Sequence, residues 1–279
     1  MSLKFLMEDF VNQLSRFGQI LSLRCMYITA LSSFIYAGLA KNDLLSFREK
    51  LLVNQLLTNI PSPVRVDVRC GQLYELAFKI INVIDRIIFD EKTIELIEGK
   101  ADLSHVLKIL SKELGSIQYV VLYDCLSVPE LLTIASYLRT EGYQTIFPQL
   151  YILNPLGLTR FITKQVLVTE ATMEDVLKTI MSSLKAIKGS LIREIDKKLH
   201  DYGFDLREFI RNVDIEKVVS KCKSYAEEGS TLVMSDHGYD IFYDPRGFYV
   251  SHGGIFMHQE PQTILNFSKI APIMITFKR

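Results

Sequence analysis

Gln118-Tyr-Val-Val-Leu-Tyr-Asp124 is the stretch on which the fold turns. It is a short apolar run of β-branched and aromatic residues that ends in an acid. A buried parallel strand reads this way: both its faces are covered, and its C-terminal end can deliver a carboxylate. Immediately downstream, Pro129-Glu-Leu-Leu-Thr-Ile-Ala-Ser-Tyr-Leu-Arg139 reads as a helix with proline in its first turn. Gly142 is positioned to stop that helix, and Tyr143-Gln-Thr-Ile-Phe147 reads as a second strand. Strand, helix and strand predict a βαβ unit with ligands at the strand C-termini. Thr231-Leu-Val-Met-Ser-Asp236-His237-Gly238 repeats the pattern of an apolar strand running into polar groups. A hairpin is expected around Asp244-Pro245-Arg246-Gly247, then Ser251-His252-Gly253-Gly254, and Ile270 to Phe277 reads as a last strand. The predicted fold class is α/β.

Upstream the texture differs. Leu3, Leu6, Phe10 and Leu14 recur at helical spacing, as do Leu76, Ile80, Val83 and Ile87. Pro61-Ser62-Pro63 interrupts the pattern. The chain therefore divides into a helical N-terminal region, 1–115, and an α/β domain, 116–279. His105 stands alone among the helical residues and reads as structural.

Composition bounds the possibilities. The 279 residues are 48% hydrophobic and 23% charged, which suits a globular chain and argues against disorder, collagen or a disulfide miniprotein. Lys+Arg and Asp+Glu are equal at 32 each, so no overall basic field attracts nucleic acid. Cys25, Cys70, Cys125 and Cys222 are scattered without metal-ribbon spacing and are expected as free thiols. The longest uncharged run, Cys25 to Ala40, contains Thr29, Ser32 and Ser33 and falls short of the roughly 20 apolar residues a membrane helix needs. A buried helix is expected there. The opening residues carry acids where a signal peptide is basic. A cytoplasmic chain with no membrane partner follows as the expectation.

Asp124, Asp236, His237 and His252 all stand at strand ends. Asp196 and His200 are four residues apart, on one face if that segment is helical. Each has an ordinary reading: Asp196 and His200 as a surface helix pair, Asp124 as a helix cap. Together they form a set suited to divalent ions, since Asp and neutral His bind zinc and Asp also suits manganese or magnesium. Two such ions can clamp the attacking and leaving oxygens of a phosphoryl group.

These segments resemble the alkaline phosphatase superfamily, most closely its PglZ-domain branch. Val120-Val-Leu-Tyr-Asp124 is similar to the segment with the first metal-binding Asp. Pro155-Leu-Gly-Leu-Thr159-Arg160 resembles the segment that carries the nucleophilic hydroxyl. Asp196-Lys-Lys-Leu-His200 resembles the Asp-x-x-x-His metal pair. Ser235-Asp236-His237-Gly238 resembles the Ser-Asp-His-Gly signature, and His252-Gly253-Gly254 the closing His-Gly-Gly. The resemblance covers about Ser116 to Phe277 and leaves out the helical N-terminal part.

The resemblance implies an α/β/α sandwich of alkaline-phosphatase type with a helical N-terminal region. It implies two divalent metal sites, for Zn²⁺ or Mn²⁺ and also Mg²⁺. One is made by Asp124, Thr159, Asp236 and His237, the other by Asp196, His200 and His252. Thr159 is then the nucleophile, passing through a phosphothreonine, with Arg160 pairing a phosphate oxygen; Ser127 is a competing nucleophile whose ordinary role is a helix cap. The implied activity is phosphoester hydrolysis, phosphodiesters before phosphomonoesters, in phage defence or nucleotide signalling. A nucleotide or single-stranded nucleic acid is the substrate easiest to reconcile with zero net charge. The alternative is a catalytically inactive metal-binding subunit that docks protein partners through its N-terminal helices.

Overall fold

The structure, a computed structural model, describes residues 2–17, 21–44, 71–89, 103–113, 116–166, 171–244, 246–252 and 262–278. The Pro61–Pro63 break, Cys70, Gly115, Pro245, Gly253 and Gly254 lie outside the described residues. Among the described residues the fold is mixed α/β, with ten helices, a six-stranded mixed sheet and a separate three-stranded sheet.

Helices come first: α1 (Leu3–Arg16), α2 (Leu23–Lys41), α3 (Gln72–Phe89) and α4 (Leu103–Glu113). Ser2 caps α1 by accepting from the Phe5 N–H, and the helix buries Leu6, Met7, Phe10, Val11 and Leu14. The uncharged run of the sequence lies in α2, which has no polar face and is buried continuously from Cys25 to Leu39. Two of its hydroxyls are satisfied within the helix: Thr29 donates to the Cys25 carbonyl and Ser33 to the Thr29 carbonyl, each at 2.8 Å. By length and composition α2 could cross a membrane, but 83% of its apolar window is buried inside the protein.

The α/β part follows as β1 (Tyr119–Tyr123), α5 (Val128–Thr140), β2 (Tyr143–Ile146), β3 (Tyr151–Leu153), α6 (Thr159–Thr163), α7 (Met173–Leu184), β4 (Lys188–Ile192), α8 (Glu194–Tyr202), α9 (Leu206–Asn212), α10 (Ile215–Glu228), β5 (Thr231–Ser235), β6 (Asp240–Asp244), β7 (Gly247–Ser251), β8 (Gln262–Asn266) and β9 (Ile270–Lys278). The large sheet runs β2-β9-β5-β1-β4, with β3 also on β9, and the small one runs β7-β6-β8. The expected hairpin is β6–β7. The strand–helix–strand unit β1-α5-β2 forms, but its strands are not neighbours, because β5 and the antiparallel β9 are inserted between them.

β1 is parallel to both β4 and β5, and Tyr123 lies opposite Ile192 and Ser235. This register sends the chain out of all three strands at one edge, at Asp124, Arg193 and Asp236. Alternate residues of β1 serve opposite faces. Val121 and Tyr123 join the hydrophobic cluster of α1, α2, α3 and α5, whereas Val120 and Leu122 join that of α4 and α7. Both faces of the sheet are therefore covered by helices. On the first face α5 packs against the sheet and against α1 and α2. That double contact explains why α5 is buried nearly all round, from Val128 to Ser136. The Phe10, Phe34 and Phe267 rings tie the layers, with centroids 5.3 and 5.5 Å apart. Arg139 of α5 adds a polar tie, bonding Glu8 and Asn12 of α1 and Thr145 of β2.

Candidate metal centre at the edge of the central sheet

The parallel register brings three carboxylates together. Asp124 follows β1, and its N–H donates to the Ile192 carbonyl at 3.0 Å, extending the ladder by one residue. Asp236 follows β5 and is similarly drawn to β1, its N–H donating to the Tyr123 carbonyl at 3.3 Å. Asp196 comes from the first turn of α8, which starts one residue after β4 exits. The segment Asp196 to His200 is helical, so Asp196 and His200 share a face, while Lys197 is exposed and Lys198 lies over the Tyr202 ring. His200 Nε2 lies 3.2 Å from Asp196 Oδ1.

The histidines complete two adjacent donor sets. In one, donor atoms of Asp124, Asp236 and His237 lie within 4.8 Å of one another, and in the other so do those of Asp196, His200 and His252. His252 Nε2 sits 3.4 Å from His200 Nε2 and 3.7 Å from Asp196 Oδ1. The His237 and His252 rings, with centroids 5.0 Å apart, join the sets. His237 is oriented from behind: its Nδ1 is 2.8 Å from the Gly238 carbonyl, which fixes the proton on Nδ1 and leaves Nε2 a lone pair. Asp236 Oδ1 accepts from the N–H groups of His237 (2.9 Å) and Cys125 (3.2 Å). Its Oδ2 is buried without a hydrogen-bond partner, 3.4 Å from His237 Nε2. A buried carboxylate oxygen opposite an imidazole lone pair is an expensive arrangement unless a cation joins them. The donor set therefore fits divalent metal ions.

The electrostatics agree. Burial and the neighbouring Asp236 and Asp196 raise Asp124 to about 8, against a smaller opposing pull from Arg193. Burial also raises Asp236, against an opposing pull from His237. Burial and the nearby His237 lower His252 to about 4, keeping it a neutral donor.

Thr159 opens the short α6, and its hydroxyl faces the first donor set, 3.3 Å from His237 Nε2 and 3.5 Å from Asp124 Oδ1. Fully buried Asn154 aims this loop: its Nδ2 donates to the Leu158 carbonyl (2.9 Å) and the Asp236 carbonyl (3.1 Å). Gly157 has φ of 58°, and a Cβ there would come within 2.9 Å of Ser268, so the turn admits no side chain. Arg160 is exposed on α6. The guanidinium that reaches the carboxylates is that of Arg193, 3.7 Å from Asp124 Oδ2 and anchored on Glu174 at 3.0 Å.

The capping role expected for Ser127 is corrected. Ser127 is the N-cap residue of α5, but it makes no side-chain cap bond, and its hydroxyl is buried without a partner. Pro129 and the fully buried surroundings hold the helix start instead. Cys125, Asn154 and Arg193 enter the site without any sequence signal of their own. The only one available was adjacency, since Cys125 directly follows a strand-end Asp and Arg193 follows a strand end.

No family model matches this chain, and no curated protein matches it.

Proposed function

We propose that this chain is a metal-dependent phosphohydrolase, a phosphodiesterase before a phosphomonoesterase, related to the PglZ branch of the alkaline phosphatase superfamily with its α/β/α architecture. The observation that carries the reading is the Thr159 hydroxyl poised over one of two adjoining carboxylate–imidazole sets. Asp124, Asp236 and His237 would hold one divalent ion, Zn²⁺, Mn²⁺ or Mg²⁺, and Asp196, His200 and His252 the other. When bound, such ions lower the pKa of a coordinated hydroxyl and neutralise charge on phosphoryl oxygens.

The chain's own residues supply the rest. Thr159 Oγ1 attacks phosphorus after losing its proton to solvent, because threonine is inert at neutral pH while protonated; the ester P–O bond breaks, and the departing alkoxide takes a proton from solvent and leaves as the alcohol. Asn154 holds the attacking loop against the Asp236 segment, which limits the geometry from which Oγ1 can approach. Arg193 already lies 3.7 Å from Asp124, and the exposed Arg160 beside the nucleophile is placed to pair a phosphate oxygen. The resulting phosphothreonine is opened by water. With no net basic charge, a nucleotide or short single strand is a more reasonable substrate than duplex DNA. A cytoplasmic role in phage defence or nucleotide signalling belongs to the same reading.

The test is hydrolysis of bis-p-nitrophenyl phosphate and p-nitrophenyl phosphate with added Mn²⁺ or Zn²⁺. Turnover that favours the diester is expected. Stoichiometric metal without turnover on any diester or monoester would instead make the chain a binding subunit that docks partners through its N-terminal helices.

A further inference from the structure

Cys125 lies between the two donor sets. It occupies the left-handed region at φ of 68°, unusual for a side chain with a Cβ, and this conformation turns the thiol into the site while its N–H holds Asp236 Oδ1. Its Sγ is 3.5 Å from His237 Nδ1 and 3.8 Å from Nε2, on the first set, and 3.6 Å from Asp196 Oδ1, on the second. Its sulfur also lies within 4.8 Å of donors from Asp124 and from His252, so it meets both sets. No other side chain among the described residues combines with members of both sets in this way except the ligands themselves. The thiol is fully buried, and the Asp236 carboxylate that the Cys125 N–H holds through Oδ1 keeps its Oδ2 buried and unpartnered.

We propose that Cys125 is a metal ligand shared by the two donor sets, which makes the centre a mixed thiolate, imidazole and carboxylate site selective for thiophilic divalent ions, zinc above manganese or magnesium. The inference rests on the metal reading given above, to which it adds the ligand that chooses the metal. Oxygen and imidazole donors alone accept Mn²⁺ and Mg²⁺ readily, whereas a soft sulfur donor favours Zn²⁺, Co²⁺ and Cd²⁺. On binding, the S–H bond breaks, its electron pair stays on sulfur as the donor pair, and the proton leaves to solvent. No oxidant or reductant takes part. Because a metal-bound thiol is deprotonated outright, binding to the wild type releases one more proton than binding to a variant without the thiol.

The experiment loads the metal-free full chain with Co²⁺ and records the near-ultraviolet thiolate-to-cobalt charge-transfer band, with bound metal counted in parallel. Zn²⁺ and Mn²⁺ affinities are measured by calorimetry on the same samples. Wild type is expected to show the band. Cys125→Ser is expected to lose it while keeping the Co²⁺ stoichiometry, and to weaken Zn²⁺ binding by more than about tenfold, the loss seen even for outer-shell partners, with Mn²⁺ affected less. Cys125→Gly, which relieves the left-handed backbone, repeats the measurement in a background that folds without strain. Stoichiometric Co²⁺ binding with no band in wild type, or a band that survives in both variants, overturns the cysteine ligand and leaves the two-metal reading intact. Failure of wild type to bind any of these ions overturns both.

Discussion

Thr159 and Ser127 are separated by what surrounds their hydroxyls. Thr159 Oγ1 faces His237 and Asp124, whereas Ser127 Oγ is buried with no hydrogen-bond partner. Thr159→Ala is therefore expected to reduce turnover by orders of magnitude with metal binding kept, and Thr159→Ser to restore part of it. Ser127→Ala removes a polar atom that nothing satisfies, so urea unfolding should show unchanged stability or a gain of up to about 1 kcal/mol, with turnover retained. A dead Ser127→Ala beside an active Thr159→Ala would move the nucleophile to Ser127. At this scale the sequence was informative where chemistry sits at a strand end. Asp124, Asp236 and His237 each follow an apolar run, and that local pattern exposes them. Cys125, Asn154 and Arg193 were not legible, because their roles depend on which strands become neighbours. Arg193 reaches Asp124 only because β4 pairs with β1.

Among the elements, α5 carries a buried charge problem. Glu130 is fully buried between Tyr239, which donates to it, and Tyr27 of α2, with Arg24 acting on Tyr27 from the same helix. Burial raises Glu130 to about 7. The folded state thus holds a proton that the unfolded state has already lost above pH ~4.3. Its contribution is complete below that pH and disappears as pH rises toward 7, amounting to roughly 3 kcal/mol across the interval. Glu130→Gln cannot ionise, so its stability should change less between pH 5 and pH 8 than that of the wild type. An equal change in unfolding free energy between pH 5 and pH 8 in wild type and variant, measured in urea, would show that Glu130 does not hold this proton. The neighbouring contact is geometric. A Cβ on Gly38 of α2 would come within 2.4 Å of the Ile264 carbonyl on β8, so Gly38→Ala should cost about 1–3 kcal/mol by the same assay despite the better helix propensity of alanine. The periodicity of α1 and the apolar run of α2 made these helices readable. Their position over α5 was not, since no pattern within a helix names its packing partner. The insertion of β9 between β2 and β5 escaped for the same reason: a strand's sequence says that it is buried on both faces but not beside which strands.

For the molecule as a whole, one hydrophobic cluster runs from α1 through α5 to β9, so the N-terminal helices stabilise the layer on which the site is built. On the proposed reading, the equal counts of acidic and basic residues leave the site's own cluster, not a global field, to select a substrate. The central claim is that metal ions at the C-terminal edge of β1, β4 and β5 make Thr159 reactive. Its most direct measurement is diester turnover by the full chain after exhaustive chelation, followed by stepwise return of Zn²⁺ or Mn²⁺. Turnover should vanish on chelation, return with added metal and reach a plateau near two ions per chain. Undiminished turnover in the chelated protein would contradict it.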